Sequence, residues 1–507
     1  MQEQFSKRFS GEFSDPGQGT KVKRETSGVI ARIHSERGFV LPTAAVFFIL
    51  ALPIVGLVVD VGLDYMIQTK LQMAIDAAAL AGARSLSRGD DSATQITNAQ
   101  NTARSYLTAN FPPGYLGVSS PTVGTLSVDT SQANVRSLTI SASATVPVLF
   151  FGSLGLSSTT IGATATATRR DVNVMIVMDR SGSLANSGSC APLKNAATGF
   201  VSKFSNGSDN VGLLTFATSS RVDFGLATNF NTATPSVSTI INEVTCSGAT
   251  SSAQALWTGY QALTALNQPA ALNVMLFFTD GQPTAVTAVM SKASGSGCSS
   301  TSYTGVFTVG FQTTTPFSPV ATGGIMGYQA AAQPMASDAA VVGGTNGGVG
   351  NPAGCAFDSS WSNNWTSAAS DITGVPTTDI WGNNLNNGYE SVTLSGGLVS
   401  VPSNTTGALN MIHASTNAAD NAAYRIRNGV SPGNGSAALS NLLIFSIGLG
   451  NSTYPANGDF LARVANDPSS SSYDSTKPTG LYVFAPTAAD LSDAFARVAS
   501  EILRLAK

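Results

Sequence analysis

The sequence predicts an α/β domain, a mostly parallel β-sheet flanked by helices and interrupted by a large insertion. A transmembrane helix and a small α+β membrane-proximal domain precede it. Three observations predict this. Phe39–Val59 is a run of about 21 residues without a charge. The stretch from Tyr115 to Arg169 alternates β-branched with small or polar residues, the period of half-buried strands. After Asp171 come continuous apolar runs, DVNVMIVMD, NVGLLTFAT, LNVMLFFTDG, NLLIFSIGLG and a shorter LYVFAP, with helical patterns between them. Runs of that kind suit strands buried on both faces.

Taken in order, residues 1–37 mix charges with Gly, Ser and Gln, show no periodicity and read as a disordered leader. Residues 38–60 form the transmembrane segment, which at 1.5 Å per residue spans a ~30 Å hydrocarbon layer. Pro42 and Pro53 are tolerable in such a helix. Lys7, Arg8, Lys21, Lys23, Arg24, Arg32 and Arg37 precede it, whereas Asp60 and Asp64 follow. The positive-inside rule places the leader in the cytoplasm and the rest outside. Residues 61–170 open with an Ala- and Leu-rich continuation of the helix, in which Leu71, Ile75, Ala78 and Ala79 make an apolar stripe. A second helix is expected over Ser92–Asn110, before Pro112 and Pro113. The alternating segments VGTLSVD, SLTISASATVPVL and STTIGATATAT then supply a small antiparallel sheet.

Residues 171–507 are the α/β domain. Helices are expected at SAQALWTGYQALTAL and TGALNMIHASTNAADNAAYRIRN. A last one opens with the capping box TAAD and buries Leu491, Phe495, Val498 and Ile502. Residues 284–404, rich in Gly, Ser, Thr and Asn, read as an insertion that folds on its own. Trp361, Trp365 and Trp381 are its core or its contact anchors, and Cys298 and Cys355 are placed to staple it.

Composition removes several functions. Charged residues make up 11 % and the net charge is −3, without the basic patch that nucleic acid demands. His34 and His413 are the only two histidines, and the four cysteines, Cys190, Cys246, Cys298 and Cys355, contain no CxxC pair, which argues against a zinc site. In an exported chain, isolated cysteines in even number fit disulfides, although spacing alone does not fix their connectivity.

One strand end carries chemistry. VNVMIVMDRSGSL stops in Asp179, Ser181 and Ser183 at every second position. Asp280 ends another apolar run, and Thr250 lies in a Gly-containing loop before a helix. In open α/β sheets ligands sit beyond the carboxyl ends of the strands. Two carboxylates and three hydroxyls without His or Cys favour a hard divalent cation, Mg2+ first, with Mn2+ and Ca2+ as alternatives.

D-x-S-x-S at 179–183, the Thr of G-x-T-x-x-x-x-A-L at 248–256 and T-D-G at 279–281 together resemble the von Willebrand factor A domain. The resemblance implies that Ser181, Ser183 and Thr250 supply hydroxyls to a metal-ion-dependent adhesion site (MIDAS). Asp179 and Asp280 would bind the metal directly or through water. It also implies that the loops of Cys190 and Cys246 are neighbours, so that a Cys190–Cys246 disulfide would lock the site. The N-terminal ERGFVLPTAAVFFILALPIVGLVVDVGLDYMIQTKLQMAIDAAALAGA is similar to the start of TadE/TadG-type proteins of Flp (tight-adherence) pilus assembly. Thr43 stands where prepilins usually carry Glu, which argues against pilin-like processing.

The function these resemblances imply is a single-pass protein of the bacterial inner membrane whose exported domain is periplasmic or surface-exposed. It would bind a protein ligand that supplies a carboxylate to the metal, or pilus-assembly components. The alternative is a structural scaffold of a pilus or secretion machine without metal-dependent binding. An enzyme is disfavoured, since no His accompanies the carboxylates or serines.

Overall fold

A computed structural model of the 507-residue chain describes residues 40–89, 91–132, 134–291, 302–310, 322–326, 373–400, 405–450 and 456–506. The leader, Cys298, Cys355, Trp361 and Trp365 lie outside the described residues.

The apolar run and its Ala-rich continuation form one helix, α1 (Val40–Ser85), with Pro53 inside it. Residues 40–50 are exposed all round. In the second half one face is buried by Ile67, Leu71, Ala74, Ile75 and Ala78, the spacing of a helix with one wall against it. The wall has two parts. Helix α2 (Ser92–Asn110), capped by the Asp91 carboxylate on the Thr94 N–H at 2.9 Å, contributes Ala99, Ala103 and Leu107. Gly82 allows the close approach, since a Cβ there would stand 2.8 Å from Leu138 Cδ1 and 3.0 Å from Ala103 Cβ. The second part is an antiparallel sheet, β1 (Thr122–Asp129), β2 (Val135–Pro147) and β3 (Ser158–Arg170), in that spatial order. On β2 every second residue, Leu138, Ile140, Ala142 and Ala144, points inward.

The chain then enters the α/β unit. In order come β4 (Val172–Asp179), α3 (Gly182–Asn186), α4 (Cys190–Val201), β5 (Asn210–Phe216) and β6 (Ser220–Ala227). Next are α5 (Val237–Glu243), α6 (Ser252–Ala265) and β7 (Leu272–Thr279). Strands β8 (Ala285–Ser291), β9 (Ser302–Gly310) and β10 (Thr322–Met326) pair antiparallel with one another, as do the two-residue β11 (Leu394–Ser395) and β12 (Leu398–Val399). Helix α7 (Thr405–Arg427), β13 (Leu443–Leu449), α8 (Gly458–Ala465), β14 (Tyr482–Ala485) and α9 (Leu491–Leu505) complete it.

The main sheet runs β14-β13-β7-β4-β5-β6, parallel except for β6 at its edge. Met175 and Val177 on β4 pack toward α6, with Leu256, Tyr260 and Leu263. Val174, Ile176 and Met178 pack on the other face with Leu193 and Phe200 of α4 and Phe495 and Val498 of α9. Both faces of the strand are thus apolar, which is why these runs do not alternate with polar residues. The capping box is present, formed by Thr487 and Asp490. The described parts of 284–404 do not form a separate core. Val286, Val375, Leu385 and Val399 are buried with α6 and α7, and half-buried Trp381 packs against the same cluster.

A polar clasp joins the two units. Arg169 Nη2, at the end of β3, donates to both oxygens of Asp209 at 2.8 Å, and the two side chains are 4 % and 0 % exposed. The same carboxylate accepts from the N–H groups of Val172 and Ser205. Beside it Arg136 donates to Asp171 and to Gln95 Oε1, and Gln95 Nε2 donates to the Asn206 carbonyl. A buried ion pair of this kind earns its keep only while every donor is answered. Asp209→Asn removes the charge that faces Arg169, and the expected result is a loss of about 1.5–3 kcal/mol of stability, read from the urea midpoint.

Candidate cation site at the sheet edge

The site is built where two central strands end together. In the β4–β7 ladder Met178 pairs with Phe278, so Asp179 and Thr279 leave the sheet side by side. The chain turns sharply after each. Asp179 Oδ1 accepts from the Ser181 N–H at 2.7 Å, and Asp179 Oδ2 accepts from Thr279 Oγ1 at 2.5 Å. Both carboxylate oxygens are thereby aimed by neighbours. Ser181 and Ser183 hydroxyls lie 3.0 Å apart, and Ser183 Oγ donates to Asp280 Oδ1 at 2.7 Å. Asp179, Ser181, Ser183 and Asp280 therefore form one continuous group of oxygens.

Thr250 approaches from a third segment. Gly248, at φ +93°, turns the loop, its carbonyl accepting from the Gly182 N–H at 2.9 Å, and the Ser247 N–H donates to the Arg180 carbonyl at 2.7 Å. The Thr250 N–H donates to Thr284 Oγ1 at 2.9 Å. Thr250 is buried, and among the described residues its hydroxyl makes no hydrogen bond to the other four. The disulfide Cys190–Cys246 closes the same region, joining the start of α4 to the start of this loop.

The electrostatics are unfavourable for a protein alone. Asp179 and Asp280 are both 0 % exposed. Burial pushes the Asp179 carboxyl up to about 6, against hydrogen bonds from Thr279 and Ser181 that lower it. Burial pushes Asp280 well above the usual carboxylate range, and the neighbouring Asp179 charge raises it further. Asp280 Oδ2 is buried with no hydrogen-bond partner among the described residues. Two crowded, desolvated carboxylates, hydroxyls and an unanswered oxygen fit a hard divalent cation, which neutralises the charges and occupies the orphaned acceptor. Among the described residues there is no group of three or more His, Cys, Asp and Glu. A soft or borderline metal has no ligand set there.

Three contributors had little sequence signal. Thr279, inside T-D-G, orients Asp179. Thr284 holds Thr250, and Thr218 Oγ1 accepts from the Ala249 N–H at 3.1 Å. Only Thr279 could have been found, from its place at the end of an apolar run. His413 is occupied elsewhere, on α7, with the Ser391 carbonyl 3.0 Å from Nδ1 and Glu390 3.9 Å from Nε2.

Comparison with known proteins gives two family matches. Residues 173–320 match the von Willebrand factor type A domain, and residues 38–85 match the TadE/G-like family of Flp pilus assembly. The α/β unit is thus a von Willebrand factor type A domain behind a TadE/G-like segment. No curated protein matches the chain. Solved structures similar to it include the vWF domain of the type V pili tip protein Mfa5 from Porphyromonas gingivalis, at 15 % identity and TM-score 0.34, covering 67 % of this chain and 98 % of that one. The PilB minor pilin from Streptococcus sanguinis is similar at 12 % identity and TM-score 0.33, with 76 % and 80 % covered. The pilus adhesin SpaC from Lactobacillus rhamnosus GG is similar at 13 % identity and TM-score 0.34, covering 76 % of this chain but only 36 % of SpaC. Likenesses of this degree say nothing about binding.

Proposed function

We propose that this protein is a membrane-anchored, divalent-cation-dependent protein-binding module of a bacterial cell envelope, acting in Flp pilus assembly or surface adhesion. The observation that carries the reading is the buried Asp280 Oδ2, without a hydrogen-bond partner among the described residues, beside the Asp179 carboxylate. Ser181, Ser183 and Thr250 are the hydroxyl ligands in this reading, with Asp179 and Asp280 bound directly or through water. Mg2+ is the first choice, Mn2+ and Ca2+ the alternatives. When bound, the cation supplies a coordination position that a partner's carboxylate can fill.

The chain's own residues do the positioning. Asp179 fixes the Ser181 turn through its backbone N–H, and Thr279 fixes Asp179. Gly182, Ser183 and Gly281 are only half-buried, so the site opens to solvent on the Ser183 side. A Cβ at Gly281 would come within 3.8 Å of Ser183 Oγ, so a side chain there would narrow that opening. Among the described residues neither serine has an imidazole beside it, and the described His413 is held elsewhere, which supports binding rather than catalysis.

Helix α1 is long and apolar enough to cross a membrane. In this reading it does so once in the inner membrane, leader in the cytoplasm and exported domain in the periplasm or at the cell surface. The Cys190–Cys246 disulfide supports an oxidising location.

The test is titration calorimetry with magnesium chloride on the full chain in detergent, followed by divalent-dependent capture of envelope proteins. A fragment starting at residue 171 is a poor substitute, because it leaves Asp209 without Arg169. The expected result is one saturable uptake of cation, abolished by Asp179→Ala together with capture. No heat in the parent protein sinks the reading. The clasp between the two units favours one second reading, a rigid scaffold. In that case Asp179→Ala leaves assembly intact and Arg169→Ala does not.

A further inference from the structure

We propose that the tip of the β2–β3 hairpin enters the bilayer crossed by α1, in the leaflet nearest the exported domain, and that Asp60 is the latch that holds it there. The proposal rests on the reading of α1 as a membrane helix.

The first observation is where α1 is covered. Between residues 52 and 62 two residues are buried, Gly56 and Asp60, one helical turn apart. The hairpin tip covers both. A Cβ at Gly56 would stand 2.7 Å from Phe150 Cβ and 3.0 Å from its Cγ. Gly56 lies within the apolar run that ends at Val59, and one turn is about 5.4 Å. Phe150 therefore sits at the depth of hydrocarbon, not of water.

The second observation is the latch. Asp60 Oδ1 accepts from the Leu149 N–H at 3.0 Å, both oxygens accept from Phe150 at 3.2–3.3 Å, and Oδ2 accepts from Phe151 at 3.1 Å. One turn on, Asp64 accepts from Thr159 Oγ1 at 2.9 Å. A loop that enters a bilayer must answer its backbone donors within the protein, and a carboxylate at the membrane boundary needs such donors. Each group meets the other's requirement.

The third observation is the character of the tip. Leu149, Phe150 and Leu156 are 62 %, 48 % and 55 % exposed. No charged residue occurs between Arg136 and Arg169, a stretch that takes in all of the hairpin except its base. A solvent-facing tip of polar turn residues would be the ordinary arrangement. This apolar surface is instead continuous with exposed Leu52, Ile54, Val55, Leu57 and Val58 of the helix, and that continuity selects lipid over a second protein. Two attachments would fix the tilt of the membrane-proximal unit, and the Arg169–Asp209 clasp would pass that orientation to the A domain.

The experiment places single tryptophans, Phe150→Trp and Leu156→Trp, in the full chain. The host is phosphatidylcholine vesicles whose acyl chains are brominated near the headgroup, and the parent protein supplies the background. Ile54→Trp reports the helix. The expected result is a blue-shifted extra emission at all three positions, most of it lost in brominated lipid. Adding Asp60→Ala to Phe150→Trp restores most of it. Quenching at Ile54→Trp with none at either tip position overturns the proposal and leaves the membrane helix standing. A tip shielded from both bromine and aqueous iodide overturns it too, since a protein, such as a second copy, then covers the tip. No quenching at Ile54→Trp removes both readings, and quenching indifferent to Asp60→Ala removes the latch.

Discussion

Asp280→Asn stabilises the protein in metal-free buffer at neutral pH and abolishes its uptake of magnesium. The two effects have one cause. Without a cation the folded state holds two facing carboxylates away from water, and an ion so placed costs several kcal/mol unless it is paired. Both carboxyls have folded-state pKa values above the unfolded value of 3.8, Asp179 at about 6. A carboxyl raised in this way favours the fold below its unfolded pKa and loses that contribution as pH rises through the folded one. Asparagine at position 280 removes one charge and, through it, part of the upward push on Asp179. The variant and the parent should therefore have equal stability below pH 3.8 and diverge as pH rises from there to neutrality, with the variant the more stable. Saturating magnesium should reverse the order, because only the parent gains binding energy in the folded state. Urea midpoints with and without magnesium, at the two ends of that pH window, read both effects. A destabilised variant in metal-free buffer would mean that the site is an ordinary hydrogen-bonded turn, and the cation reading would lose its physical basis.

How far the sequence reached can be argued from particular residues. The strands of the A domain were legible because both faces are buried. Val174 and Met175 point opposite ways and are apolar for the same reason. Helix α1 was legible through the unbroken apolar run and the stripe that follows it. The convergence of Asp179, Ser181, Ser183 and Asp280 was legible because strand ends in a parallel sheet meet at one edge, so two motifs about 100 residues apart become neighbours. Less could be read where the information is relational. Arg169 and Asp209 are unremarkable in their own segments, and nothing local pairs them. The antiparallel edge strand SRVDFGLA has no strong period, since it is half-buried along nearly its whole length, with no one face buried and the other open. Trp381 looked like part of a separate insertion, and only the packing of Val375, Leu385 and Val399 into the main cluster places it beside the A-domain core. Asp60 marked the end of an apolar run but gave no hint of the three backbone donors that it answers.

Removing the Cys190–Cys246 disulfide separates stability from site geometry. The bridge closes a loop across a sequence separation of 56, and the loss of that constraint on the unfolded chain costs roughly 4 kcal/mol. The folded loop, however, does not depend on it alone. From Ser247 to Ser251 every backbone N–H except that of Gly248 donates to another segment. The acceptors are the Arg180 carbonyl at 2.7 Å, Thr218 Oγ1 at 3.1 Å, Thr284 Oγ1 at 2.9 Å and the Ala217 carbonyl at 2.8 Å. The Gly248 carbonyl is held by Gly182 at 2.9 Å. These bonds set the position of Thr250 and persist while the protein is folded. A Cys190→Ala, Cys246→Ala double variant should therefore unfold at a much lower urea concentration yet take up magnesium with an affinity within about tenfold of the parent's, the equivalent of 1.4 kcal/mol. If affinity falls in step with stability, the bridge rather than the hydrogen bonds holds the third segment in place. The site would then be a redox-gated one, whose ligand set comes apart on reduction while the sheet stays intact.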